Sequence, residues 1–261
     1  MRHQVDAAMG QESLSAWSAW SGHALVIGGG GIGRALLQGL AARAPHLQLW
    51  CSQRRQLAAE EPRIAGLQQF RLDVSDDDSL RQLQQLAQER LSPLRLVIYT
   101  AGLLHDDAMA PEKRLSQVNR PALERSFSVN AWGPLLVAQA IETALPRQQP
   151  ALFASLSARV GSIGDNRLGG WYAYRAAKAA QNQLLTTLAL EWGRRLPQVC
   201  VTLLHPGTTA TALSAPFRSG VPSQQLFSPE HAASQLLDLL EQQTAADSGR
   251  FLAWDGSEIP W

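Results

Sequence analysis

The chain of 261 residues holds only two cysteines, Cys51 and Cys200. Two thiols so far apart exclude a disulfide framework and a thiolate metal cluster. Both read as small buried hydrophobes in a reducing compartment, so a cytoplasmic location is expected. An excess of charge is missing too. Lys and Arg number 23 against 22 Asp and Glu, a net charge of +1, which leaves no electrostatic footprint for nucleic acid or an anionic membrane. No apolar run approaches the roughly 20 residues needed to span a bilayer. The first residues lack the basic start, apolar core and small-residue cleavage site of a secretory leader. What is present is 45% hydrophobic and 17% charged, which suits a soluble domain with a large core.

Residues 1–22 mix Ser, Ala, Gln and Trp without a period, and read as an extension whose Trp17 and Trp20 can pack back on the body. From 23 to 261 the pattern is regular. Short apolar runs at 24–27, 47–50, 69–72, 94–100, 151–155, 199–204 and 250–254 predict seven strands. Between them lie helical stretches to Arg43, over 76–91, around 120–145, from Tyr174 to Arg195, and over 229–243. Asp76-Asp77-Asp78 marks one helix start, where the dipole favours anions. Pro134 marks a bend or break inside the 120–145 segment. Strands alternating with helices predict one doubly wound α/β domain, a mostly parallel sheet covered on both faces, with right-handed crossovers.

Gly28-x-Gly30-x-x-Gly33 lies between the first strand and the first helix. In a dinucleotide fingerprint the first Gly makes the tight turn, the second lets backbone approach a pyrophosphate, and the third lets helix pack on strand. The helix N-terminus then offers free N–H groups to phosphate. An acid about 20 residues further on would bind the ribose hydroxyls of NAD. This chain has Trp50-Cys51-Ser52-Gln53-Arg54-Arg55 there instead. A hydroxyl and two guanidiniums suit a 2′-phosphate, so NADP(H) is favoured and NAD(H) remains possible. Arg34 stands ready to assist.

Tyr174 and Lys178 are four apart in an alanine-rich helical stretch, hence on one face. A cation beside a phenol favours the phenolate and moves its pKa toward working pH. Alone, such a pair also fits a surface lysine beside a half-buried tyrosine.

In this order and spacing the motifs resemble the short-chain dehydrogenase/reductase family from Ala24 onward, which implies a Rossmann domain and hydride transfer between nicotinamide and a carbonyl or alcohol. The resemblance assigns Asp73, with Val74, to the adenine. Thr100-Ala101-Gly102 resembles the family's Asn-Ala-Gly turn, with Thr in place of Asn. Asn130 matches the catalytic-helix Asn of the proton relay, and Tyr174 and Lys178 match the Tyr-x-x-x-Lys pair. Pro206-Gly207-x-x-x-Thr211 matches the segment over the nicotinamide, with Thr209 and Thr211 as carboxamide contacts. The cofactor set thus comprises Gly28, Gly30, Gly31, Ile32, Gly33, Ser52, Arg54, Asp73, Val74, Ala101, Gly102, Tyr174, Lys178, Pro206, Gly207, Thr209 and Thr211.

Two places depart from the family pattern. Counting back from Gly31 and Gly33 puts Ile27 where Thr-Gly-x-x-x-Gly-x-Gly has its first Gly, so the loop is one residue shorter or is anchored on Gly28. Counting back from Gly161 puts Ala158 at the catalytic Ser, with Ser157 beside it as the chosen substitute, ahead of Ser155 and Ser162. Residues 157–166, the Gly-Gly-Trp-Tyr-x-Tyr-Arg that follows, and the ending Trp254 to Trp261 resemble the C-factor/sniffer-like carbonyl reductase branch. That branch implies an NADP(H)-dependent oxidoreductase, or a nucleotide-binding signalling protein with little turnover. The family also implies a homodimer or homotetramer. His105 and His205 have no partner at metal spacing.

Overall fold

A parallel sheet of seven strands organises the chain. In the computed structural model, which describes residues 16–54 and 64–261, these are β1 (Gly22–Ile27), β2 (Leu47–Gln53), β3 (Gln68–Arg71), β4 (Leu94–Tyr99), β5 (Ala151–Leu156), β6 (Val199–His205) and β9 (Phe251–Ala253). Their order is β3-β2-β1-β4-β5-β6-β9, and every neighbouring pair is parallel. The helices are α1 (Gly31–Arg43), α2 (Asp77–Arg90), α3 (Arg120–Phe127), α4 (Gly133–Ile141), α5 (Tyr172–Arg195) and α6 (Pro229–Glu241).

Alternation along the strands explains the two layers. In β1, Leu25 and Ile27 enter one core with Val97, Phe153, Val137 and Trp192, while Ala24 and Val26 enter the other with Leu36 and Leu236. Successive side chains of a strand point to opposite faces, so an unbroken apolar run is stable only with helices on both sides. Trp17 is buried in the α1/α6 core and Trp20 packs against it. Residues 1–15 of the N-terminal segment, and Arg55 of the basic turn, lie outside the described residues.

Local chemistry sets the helix starts. Asp76 accepts from Ser79 N at 3.2 Å at the head of α2, Asn119 from Ala122 N at 2.9 Å for α3, and Ser228 from His231 N at 3.1 Å for α6. The segment read as one helix over 120–145 is α3, a π-helical turn over Ser128–Trp132, and α4. Pro134 follows the π-helical turn directly, so the regular α-helical ladder is already interrupted where its missing N–H falls. The stretch from Thr208 to Phe227 holds a two-stranded sheet of β7 (Thr208–Thr209) and β8 (Leu226–Phe227), too short for any sequence period.

From β1 the sheet grows outward to β3, then restarts beside β1 with β4. Loops leave in opposite directions from that point, opening a crevice at the carboxyl ends of β1 and β4, the place where such sheets take their ligands.

Candidate active site

At this crevice β1 is followed by Gly28, whose φ of +98° lies outside the range of most side chains. A Cβ on Gly33 would lie 1.9 Å from the Gly28 carbonyl oxygen, so strand and helix touch backbone to backbone. These two glycines settle the loop reading: Gly28 makes the turn and Gly33 the close packing. Gly30, the N-cap of α1, would have nothing within 4 Å of an added Cβ. No side chain caps α1 and its first turn holds no acid. The result is an open helix N-terminus suited to an anion.

Two adjoining cavities share Gly28, Ala101 and Gly102. One, of about 220 Å³, is lined by Ser52, Gln53, Arg54, Leu72, Asp73 and Val74 among others. Burial opposes ionisation of Asp73, but two hydrogen bonds from Ser75 and the charges of Arg54 and Arg71 outweigh it and hold the carboxyl below its usual range. The other, of about 320 Å³, is lined by Gly30, Gly31, Ile32, Gly33, Ser157, Tyr174, Lys178, Pro206 and Thr211 as well as the shared glycines. Thr211 closes down on the glycine loop, since a Cβ on Gly31 would meet its methyl at 2.8 Å. Gly207, at φ +75°, and the buried Thr209 support that segment without lining either cavity. Thr100 Oγ1 lies 2.6 Å from Gly28 O and 3.0 Å from Ile27 O, so this threonine ties the end of β4 to the glycine turn.

The Lys178 amine lies 5.8 Å from the centre of the Tyr174 ring, and both residues are buried. Nζ donates to Leu156 O at 2.8 Å and to Gln181 Oε1 at 2.9 Å. Burial pulls Lys178 down to about 7 and pushes the Tyr174 phenol above its ordinary value. This differs from the sequence expectation of a lowered tyrosine. An amine lowers a neighbouring phenol only while it is charged, and taking both groups out of water disfavours both ions.

Ser157 lines the cavity, and its hydroxyl donates to Asn182 Oδ1 at 2.6 Å. Ser155 and Ser162, the weaker substitutes, are engaged elsewhere: Ser155 Oγ accepts from Gln181, and Ser162 Oγ accepts from Asp165 N. Asn130 is fully buried in the π-helical turn and lines neither cavity. Its amide pins a cleft loop, accepting from Leu103 N at 3.0 Å and donating to Leu103 O at 2.7 Å and Ser126 Oγ at 3.1 Å.

The short chain dehydrogenase family matches the chain over residues 22–222. The chain belongs to the short-chain dehydrogenase/reductase family. A 1-hydroxy-2-glutathionyl-2-methyl-3-butene dehydrogenase of Rhodococcus sp. (strain AD45) is 32% identical over 192 residues, covering 73% of this chain and 78% of that one. C-signal of Myxococcus xanthus is 33% identical over 148 residues, 56% of this chain and 83% of that one. Among solved structures, NADPH-bound carbonyl reductase from chicken fatty liver superposes with a TM-score of 0.77 at 22% identity, over 93% of this chain and 100% of that one. Carbonyl reductase Sniffer of D. melanogaster gives 0.78 at 21% identity, with the same coverage. At such identities the structures show a shared fold. As a member of the short-chain dehydrogenase/reductase family the protein is an NAD(P)-dependent oxidoreductase.

Sequence reading of this short-chain dehydrogenase/reductase missed the polar residues behind the site. Gln181 and Asn182 follow Lys178 at helical spacing, so each joins the same side of α5 and reaches the end of β5. Trp171 is the N-cap of α5. Its ring lies 6.3 Å from that of Tyr174 and 5.0 Å from Phe217, and Phe217 in turn lies 6.0 Å from His105. His105 Nε2 sits 3.1 Å from Leu213 O and so joins the loop after β4 to the segment after β7.

Proposed function

We propose that this protein is an NADPH-dependent carbonyl reductase with Tyr174 as its proton donor. The observation that carries the reading is the pair of adjoining cavities, one lined by Tyr174 and Lys178 and the other by Ser52, Arg54 and Asp73. The residues present fit the cofactor: the empty space over Gly30 admits a pyrophosphate at the α1 N-terminus, and Ser52 and Arg54 suit a 2′-phosphate. Asp73 and Val74 would hold the adenine, and Thr209 and Thr211 the carboxamide. When bound, NADPH supplies the hydride.

The chain's own residues supply the proton and its control. Tyr174 gives its phenolic proton to the carbonyl oxygen and, in the other direction, takes it from the alcohol. Lys178 keeps two of its N–H groups on Leu156 and Gln181 and lines the cavity, and the third N–H of its charged form would hold the nicotinamide ribose hydroxyls. Negative phosphate in the cleft favours that charged form, which restores its hold on the phenol. Asn130 fixes the loop at Leu103, and its part in a proton relay rests on the family resemblance alone. Ser157 lines the same cavity as Tyr174 but gives its proton to Asn182, so the developing charge would fall mainly to Tyr174. Trp171 and Phe217 pack beside Tyr174 without lining either cavity, so they brace the tyrosine from outside the cleft.

A second reading, a nucleotide-binding signalling protein with little turnover, is favoured by Ala158 at the family's serine position and by the likeness to C-signal. Fluorescence titration with NADPH and NADH, followed by a screen of aldehydes, ketones and quinones, separates the two. Tighter NADPH binding with reduction of at least one class supports the reductase. Tight binding with no reduction across the panel supports the signalling protein.

A further inference from the structure

Tyr174 is the third residue of α5, so its position depends on a helix end, where backbone frays most readily. That end is not self-capped. Trp171, the N-cap, has φ 52° and ψ 44°, the left-handed region, and offers no capping side chain. It is the one non-glycine residue with positive φ among the described residues, and such a conformation persists only where its surroundings over-determine it.

The surroundings come from two other parts of the chain. Glu112, from the loop before α3, is 3% exposed. Its main-chain oxygen accepts Trp171 N at 2.5 Å and its carboxylate Oε2 accepts Ala173 N at 3.3 Å. Ser126, on α3, donates to Ala173 O at 3.2 Å and accepts from Asn130 Nδ2 at 3.1 Å. Ala173 is therefore held at both its N–H and its C=O, and that C=O belongs to the peptide bond of Tyr174. The second carboxylate oxygen of Glu112 is buried with no hydrogen-bond partner. Leaving a polar atom so exposed to desolvation is costly, and a position that keeps it calls for a reason beyond packing.

We propose that Glu112 and Ser126 are positioning residues that clamp the Ala173 peptide and thereby aim the Tyr174 phenol. Neither touches the reacting atoms. They act through the first turn of α5, and Ser126 couples that turn to Asn130 and the loop at Leu103. The inference rests on Tyr174 being the proton donor.

Three variants test it: Glu112→Ala, Glu112→Gln and Ser126→Ala. NADPH-dependent turnover of a substrate from the carbonyl screen gives kcat and KM, NADPH fluorescence gives affinity, and amide hydrogen exchange follows residues 172–175. Glu112→Ala and Ser126→Ala are each expected to lower kcat roughly tenfold or more, because an ångström of misplacement is enough. KM and NADPH affinity stay as in the parent, and amide exchange in the first turn of α5 speeds up. Glu112→Gln, which keeps an acceptor oxygen, recovers most of kcat. The double variant Glu112→Ala/Ser126→Ala loses less than the product of the two single losses, because both act on one peptide. Ser126→Ala removes a single oxygen atom and keeps the inference testable if Glu112→Ala does not fold. Parent-like kcat in Ser126→Ala, whatever its melting temperature, would overturn it. Turnover in Tyr174→Phe, run alongside, would instead bring down the catalytic reading, and the clamp's role with it.

Discussion

Ser157 gives its hydroxyl proton to Asn182, 2.6 Å away on α5. A serine that stabilises a developing alkoxide must donate to it, and a hydroxyl has one proton to give. Removing a true oxyanion donor lowers kcat by about 10²–10³-fold. Ser157→Ala is therefore expected to lower kcat by less than about tenfold, well short of that range. Steady-state kinetics on the variant decide it, and a loss of 10²-fold or more would return Ser157 to the reacting oxygen.

The glycine loop separates packing from binding. Gly33→Ala drives a methyl group into the Gly28 carbonyl, so helix and strand must part. Overpacking of this kind destabilises by about 1–3 kcal/mol, and the variant should melt lower and lose NADPH. Gly30→Ala meets no protein atom and sits at φ −90°, where alanine is at ease. It should melt like the parent yet bind NADPH roughly tenfold more weakly, a loss of about 1.4 kcal/mol. Thermal melts and fluorescence titrations on the two variants check the contrast.

Cofactor choice is expected to rest on Arg54, which lines the cavity beside Asp73. A hydrogen bond to a charged group contributes about 1.5–3 kcal/mol. Arg54→Ala should then weaken NADPH binding by roughly 10- to 100-fold while leaving NADH binding as it was. Equal losses for both cofactors would place Arg54 in the fold of the loop and not at a 2′-phosphate.

The buried Lys178 sets a pH dependence. Its folded-state pKa, about 7, lies below the ordinary 10.5. Between those values the unfolded chain holds a proton that the folded chain lacks, so the contribution of Lys178 to stability rises with pH across that window and is flat below it. The buried cysteines, raised to about 11 and 12 from 9.0, act in the opposite sense only above pH 9. Melting temperature should climb from pH 7 to 9 in the cofactor-free protein, and Lys178→Met should flatten that climb. An equal climb in the variant would contradict the burial argument.

How much of this was legible in the sequence follows from range. All the strands but the half-exposed edge strand β3 announce themselves as mostly apolar runs buried on both faces, and the turn at Gly28 does so because only glycine fits it. Tyr174 and Lys178 are visible because four residues make one helical turn. The clamp was not visible, since Glu112 and Ala173 are 61 residues apart and no local pattern joins them. Nor was the bond from Ser157 to Asn182, which depends on how α5 lies against β5. The lowered Lys178 was missed for a related reason: spacing tells which groups are neighbours but not how far both are removed from water.

The central claim is that the Tyr174 phenol supplies the proton for NADPH-dependent reduction. The most direct measurement is single-turnover reduction by Tyr174→Phe at saturating NADPH, with cofactor affinity measured on the same sample. The account expects NADPH binding close to that of the parent and no reduction above background. Reduction at the parent rate by a variant that binds NADPH normally would contradict it.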